Sequence, residues 1–293
     1  MDKLAISILA FIRPTILKQC LDSLAANNDL KDVDIHLWLD GGKGVIKGLE
    51  ASADMGNLDV FNDSKFAVKY THTSPVNLGY SGQYARIFPT MMADYKQFVV
   101  LDDDVIWGSH TVAIMRKLLD QFRDDARVGG INPGMKRYCA ENMIEQNWDT
   151  VILSRGNTRS LCTECYWSDK MVPVWRWYSQ YMEVIKPWSY WQLPHADARA
   201  AVREWAESIG SDMTEVSPDT AMVRSINMAG MQRMVTVLNR ATNIGDLGGV
   251  NCTPEALRQL GIGHQPILES EAELAIEKFR VIEEHPKGET CER

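Results

Sequence analysis

The sequence predicts an α/β protein: a Rossmann-like, mostly parallel central sheet flanked by helices, followed by a C-terminal portion of different character. Three observations predict it. Short apolar runs alternate with stretches of helical spacing over about the first hundred residues, the pattern of strands joined by helical crossovers. The run Phe98-Val99-Val100-Leu101 is unbroken, as in a strand buried on both faces. It leads straight into Asp102-Asp103-Asp104, which cannot stay in such a core without a neutralising partner. The triplet therefore belongs at a strand end, on the carboxyl edge where open α/β sheets bind ligands.

The elements follow in order. Leu4 to Phe11 reads as a first strand, and Pro14 opens a helix with apolar residues at 17, 20, 21 and 24. Val33 to Leu39 alternates as a second strand and ends in Asp40-Gly41-Gly42. Residues 44–65 read as a helix and polar loop, and Phe66 to Tyr70 as a third strand. The segment Asn77-Leu78-Gly79-Tyr80-Ser81-Gly82-Gln83 is a glycine-bearing entry to a helix that carries Arg86. Phe98 to Leu101 is the fourth strand. A helix is expected over 109–122, and a strand and turn over 128–133. Aromatic residues crowd between Tyr166 and Trp191. Helices follow over 196–209 and 220–231, then a strand to Leu238 and a glycine-rich loop over 243–249. From Glu269 a charged amphipathic helix and a polar tail are expected. The divisions are 1–108, 109–268 and 269–293.

Composition limits what such a chain does. Its 293 residues are enough for a large core. A net charge of −8 speaks against a general nucleic-acid binder while leaving room for a local DNA groove. No apolar run reaches membrane-spanning length, and the start lacks a cleavable signal pattern. The six scattered cysteines read as reduced thiols of a cytoplasmic protein, with Cys162-Thr163-Glu164-Cys165 a chance C-x-x-C spacing.

Several short patterns carry chemistry. Asp102 and Asp104 project to one side of an extended backbone, and paired carboxylates suit Mg2+ or Mn2+ shared with phosphate oxygens. A solvated acidic turn explains the triplet equally well. Asp40 before two glycines is able to bond a ribose or base, although a plain turn is the simpler reading. The helix entry at 77–83 attracts anions but lacks dinucleotide or P-loop spacing. Most of the aromatic segment reads as core, with one or two indoles as platforms for the apolar faces of sugar rings.

The order of these signals resembles the nucleotide-binding half of A-type-fold glycosyltransferases, particularly family two. Arg13-Pro14 after strand one, Asp40 after strand two, Asn77 and Gly79 before a helix with Arg86, and the D-x-D strand end at 102–104 carry the likeness. Less tightly, so do the Trp-rich segment, Asp219 at the head of a helix ending in Gly230, and the Asn243-Ile244-Gly245 loop. Where such relatives often place a histidine after that loop, this chain has Val250-Asn251-Cys252.

The resemblance implies a metal-dependent transfer of a sugar from a nucleotide-diphosphate donor, UDP-linked, to an acceptor hydroxyl with inversion. It assigns Asp102 and Asp104 to the metal and Asp102 and Asp103 to ribose or sugar hydroxyls. Phe11, Arg13, Asp40, Asn77, Gly79, Tyr80, Gln83 and Arg86 belong to the donor pocket. Asp219 is the candidate general base, with a helix cap as its plain alternative. Trp175, Trp177 and Trp191 fall on the acceptor side. A glycan, a lipid-linked sugar and a modified nucleobase are all compatible acceptors, including a hydroxylated base in viral DNA. A nucleotidyltransferase is the competing enzyme class, but 10–14 lacks its phosphate loop. A non-catalytic sugar-binding protein is the competing class outside enzymes.

Overall fold

The computed structural model describes residues 2–41, 53–134, 148–154, 163–188, 196–211, 217–245, 267–269 and 271–283. Four strands of the first part, β1 (Leu4–Ala10), β2 (Val33–Leu39), β3 (Lys69–Thr73) and β4 (Gln97–Asp102), run parallel in the order β3-β2-β1-β4. The chain steps outward from β1 to β3, then returns to the other side of β1. This reversal makes the carboxyl ends of β1 and β4 a topological switch point, where such sheets form a ligand crevice.

The second part continues the same sheet. β6 (Val128–Asn132), β7 (Thr150–Ser154), β8 (Thr163–Trp167), β9 (Gln232–Thr236) and β11 (Arg280–Glu283) complete the order β11-β7-β9-β6-β8-β4-β1-β2-β3. β8 is antiparallel to both β4 and β6, and β7 to β9. The expected division at residue 108 thus separates two stretches of sequence that share one sheet. A separate ribbon pairs β5 (Val105–Trp107) with β10 (Ala241–Asn243).

Helices cover both faces. Beneath lie α1 (Pro14–Ala25), α2 (Ala53–Asp63) and α4 (Thr111–Gln121). Above lie α3 (Gly79–Asp94), α5 (Ser168–Ile185), α6 (Ala196–Ser208) and α7 (Pro218–Met228). Alternation along β4 divides its side chains between the two cores. Val99 and Leu101 pack with Leu17, Leu21 and Met115, whereas Phe98 and Val100 pack with Phe88, Tyr178 and Met222.

Two expectations need correcting, and two strands were not expected. The third strand spans 69–73 instead of 66–70, because its partners on β2 are Ile35 to Leu39. The tail from Glu269 is not an amphipathic helix: a 3-10 turn, Glu271–Ala275, leads to β11, parallel to β7. Glu269 itself is pinned by the start of α4, accepting from the His110 N–H (2.9 Å) and the Ser109 hydroxyl (3.1 Å). The strands β7 and β8 are not apparent from the sequence, since Thr150–Ser154 and Thr163–Trp167 are five residues each and owe their form to sheet neighbours.

Candidate active site at the carboxyl ends of β1 and β4

The triplet divides as strand geometry requires. Asp103 turns into the protein, 3% exposed, where its N–H bonds the Leu9 carbonyl (3.0 Å). Its Oδ1 accepts from the Arg13 guanidinium, and both oxygens are buried. Burial raises its pKa while Arg13 opposes the rise. This differs from the expected contact with sugar hydroxyls: Asp103 anchors the turn after β1 to the turn after β4.

Asp102 and Asp104 remain on the crevice side. Burial pushes Asp102 well above the usual carboxylate range, and the charges of Asp104, Asp219 and Asp103 push it further, while Arg13 pulls back. Arg13 also reaches Asp104 Oδ2 at 3.0 Å. The site thus gathers more negative charge than its own cations balance.

A loop from the far end of the sequence closes on Asp104. Asn243 donates its amide to Asp104 Oδ1 (2.9 Å), Ile244 N–H bonds the Asp104 carbonyl (2.8 Å), and Gly245 N–H bonds Asn243 Oδ1 (2.7 Å). A side chain at 245 would put its Cβ 2.6 Å from Asp104 Oδ2, so the glycine lets the loop lie against the carboxylate. Asn243 and Gly245 lie against Asp104, and sequence reasoning named them as part of a loop without giving them a role. The pairing of β10 with β5 is what brings them here.

Asp40 behaves differently. Its Oδ1 accepts from Gly41 N–H (3.0 Å) and Leu78 N–H (2.7 Å), and its Oδ2 from Gly79 N–H (2.9 Å). The carboxylate therefore holds the start of α3, where Gly79 adopts φ +65°. Gly41 is needed because a Cβ there would lie 2.6 Å from the Ser74 carbonyl and 2.7 Å from Val76. The close approach expected of a ligand is made by the chain itself. The anion site expected at this helix start is in part already taken by Asp40.

Of the other residues expected in the donor pocket, Asn77, Tyr80, Gln83 and Arg86 lie at or on that helix, and Phe11 lies after β1. Phe11 offers its carbonyl to the Asn57 amide, and Asn77 precedes the cap. Tyr80 stacks on Tyr84 at 4.1 Å, close enough to Asp102 and Asp219 for their charges to raise its pKa, after the larger effect of burial. Gln83 is buried, and its Oε1 accepts from Arg86 (3.4 Å). Arg86 turns away to the Thr73 carbonyl (3.2 Å) and lies over the Trp38 ring.

Asp219 is the second residue of α7. The cap position belongs to Ser217 and the first helical position to Pro218, so the plain capping role does not fall to Asp219. Its pKa is pushed up to about 6 by burial, against the pull of Arg233. Two further buried charged residues, absent from the sequence-based set, are near enough for charge to act between them and Asp219: Glu164 on β8 and Arg233 on β9. A lone charge in an apolar strand pattern was the available signal.

The tryptophans do not form one platform. Trp175 stacks on Phe88 (5.2 Å) and lines a groove with Ala85, Gln180, Glu183 and Trp205. Trp177, two residues on, lies on another side of α5, beneath the Arg176 guanidinium. Trp191 lies outside the described residues, as do Cys162 and residues 250–252. Cys165 and Cys20 are buried free thiols.

No protein-family model matches the chain, and no curated protein matches it. Among solved structures it is similar to S. aureus TarS. With TarS in complex with UDP the TM-score is 0.46 at 11% identity, over 77% of this chain and 71% of that one. With TarS in complex with UDP-GlcNAc it is 0.41 at 11% identity, over 59% of this chain and 46% of that one, less than half its length. It is also similar to the mannosyltransferase PcManGT from Pyrobaculum calidifontis in complex with GDP-Man and Mn2+. There the TM-score is 0.43 at 10% identity, over 78% and 70% of the two chains.

Proposed function

We propose that this chain is a metal-dependent glycosyltransferase that moves a sugar from a UDP-linked donor to an acceptor hydroxyl, with inversion at the anomeric carbon. The observation that carries the reading is the surplus of carboxylates at the switch point, with Asp102 and Asp104 facing the crevice and Asp219 set beside them. The ordered motifs of the sequence support it.

The donor set suits a hard divalent ion. Asp102 and Asp104 supply oxygen ligands, and their mutual repulsion is relieved by a cation. Among the described residues no three or more metal-binding side chains form a ready-made cage. The remaining ligands would be donor phosphates and water, as is usual for Mg2+. Arg13, now on Asp104 Oδ2, would give up that oxygen. When bound, the ion would neutralise the charge that develops on the departing diphosphate.

The chain's own residues do the rest. Asn243 fixes the orientation of Asp104, and Asp103 with Arg13 holds the turn that presents it. Asp40 fixes the start of α3, so that Asn77, Tyr80 and Gln83 border the donor. The acceptor oxygen attacks C1 opposite the diphosphate; that bond forms as the C1–phosphate oxygen bond breaks. Asp219 accepts the hydroxyl proton, and a carboxylate whose pKa is about 6 is mostly ionised at neutral pH. The Trp175 groove is the acceptor-side candidate.

The test is UDP release and sugar transfer with a panel of UDP-linked donors, with EDTA and then Mn2+ or Mg2+ added back. Transfer that is lost in EDTA and restored by either ion is the expected result. Full activity in EDTA removes the metal from the mechanism; no release with any donor removes the reading.

A further inference from the structure

The β5–β10 ribbon has two ends, and each meets a different part of the chain. Antiparallel pairing sets Val105 opposite Asn243 at one end and Trp107 opposite Ala241 at the other. The near end carries the candidate site: Asp104 precedes Val105, Asn243 donates to its Oδ1, and Ile244 N–H bonds its carbonyl. The far end carries Gly108 and Arg240, joined by the Gly108 N–H on the Arg240 carbonyl (3.0 Å).

A later segment grips that far end on both strands. On the β5 side, Glu269 accepts from His110 N–H (2.9 Å) and from the Ser109 hydroxyl (3.1 Å). Its carboxylate fills the space over Gly108, where a Cβ would run into Glu269 and into the Ile267 side chain at 2.8 Å. On the β10 side, Leu268 N–H bonds the Asn239 carbonyl (2.9 Å), and Arg240 Nε donates to Glu273 Oε2 (3.2 Å). The segment is in turn tied to α4. Lys117 donates to the Leu274 and Ile276 carbonyls, and Gln121 exchanges hydrogen bonds with the Phe279 backbone.

Stability alone does not call for such a grip. Arg240 is 1% exposed and Glu273 0%, and Glu273 Oε1 has no hydrogen-bond partner among the described residues. Apolar residues of similar volume hold a buried place of this kind as well or better. What hydrogen-bonded charges add is a fixed direction and register. We infer that Glu269 is a positioning residue for Asp104. With Glu273 on the other strand it clamps the far end of the ribbon, so that the near end holds the Asp104 carboxylate on Asn243. The inference rests on the glycosyltransferase reading for its purpose, but the positional relation is measurable without metal or turnover.

The experiment uses the full chain labelled with 15N. Without metal or donor, NMR follows the exchange with water of the Asn243 side-chain amide protons, assigned by their loss in Asn243→Ala. Isothermal titration then measures Mn2+ binding in the presence of UDP. In Glu269→Ala the amide protons are expected to exchange about tenfold faster or more, because their bond to Asp104 opens more often. Mn2+ is expected to bind about tenfold more weakly, as when a metal ligand loses its support. Glu269→Gln is expected to match the wild type. Its side-chain oxygen accepts from His110 N–H and its NH2 donates to the Ser109 oxygen, so the bonds persist while the charge is gone.

A folded Glu269→Ala with unchanged Asn243 exchange overturns the inference. So does a Glu269→Gln that shifts as far as the alanine variant, since the effect would then be one of charge. In an Asn243→Ala background, Glu269→Ala is expected to add nothing to the loss of Mn2+ affinity, and additive losses overturn the inference. Should Glu269→Ala fail to fold, Ser109→Ala decides. It removes one of the two side-chain grips on the β5 end, so faster Asn243 exchange is expected, and unchanged exchange overturns the inference. A wild-type chain that binds no Mn2+ with UDP fails the metal-dependent reading and leaves the amide measurement standing.

Discussion

Two strand ends in this protein look alike in sequence and do different things. β2 ends in Asp40-Gly41 and β4 in Asp102-Asp103-Asp104, each an acidic turn at the carboxyl edge of a parallel strand. At Asp40, three backbone N–H groups meet one carboxylate and oppose the upward push of burial on its pKa, so its hydrogen bonds are made within the chain. At β4, carboxylates gather against too little positive charge, and burial drives Asp102 toward the protonated form. An acid whose bonds are complete inside the fold is a structural part. An acid held in a crevice in surplus is held there for something that arrives from outside.

Four measurements break or sharpen that contrast. The largest effect is expected at Asp104. Asp104→Ala removes a proposed metal ligand and the partner of Asn243, and turnover should fall about 10³-fold or more while the melting temperature changes little. A variant with near-normal turnover would place β4 with β2 as a structural end. Next comes Asp219→Asn, expected to lower kcat by roughly 10²–10⁴-fold with UDP affinity kept. Because Ser217 holds the cap position, its stability should match the wild type. Normal turnover would move the base elsewhere, with Asp197 at the start of α6 as the next described acid.

The pH profile is a milder perturbation of the same group. A base with a pKa of about 6 is ionised above that value and lost below it. Turnover should therefore decline on the acid side of about pH 6 and level off above. A profile flat to about pH 4, the range of an unperturbed carboxylate, would contradict the buried setting of Asp219. The smallest effect on catalysis belongs to Asp40. Asp40→Ala leaves three N–H groups without their acceptor and should cost about 3 kcal/mol of stability, seen in urea denaturation. Weakened UDP binding would follow only through the displaced start of α3. Isothermal titration showing strong loss of UDP affinity in a variant of unchanged stability would return Asp40 to direct nucleotide contact.

The fate of individual residues shows what could be read in advance. The apolar run before Asp102 located β4 and its end, because a strand buried on both faces has a local signature. Pro14 and the spacing of 17, 20, 21 and 24 located α1 for the same reason. Asp40 was legible as a turn acid but not as the anchor of α3, since its donors lie 38 and 39 residues away. Asn243 and Gly245 reach Asp104 across 139 residues or more through the pairing of β10 with β5. Trp175 and Trp177 looked equivalent in a list of aromatics, and helical geometry separated them.

The sequence by itself determined the α/β class, the positions of β1, β2, β4, α1, α4, α6 and α7, and the placing of three aspartates at a strand end. Those follow from periodicity and from the cost of burying charge, both local properties of the chain. Only the tertiary structure decided which acids are spent and which are available. That outcome depends on partners distant in sequence: Arg13 took Asp103, the head of α3 took Asp40, and the charge of Arg233 opposes the burial of Asp219. A carboxylate's role is set by the charges and donors around it, and those are assembled only when the sheet closes.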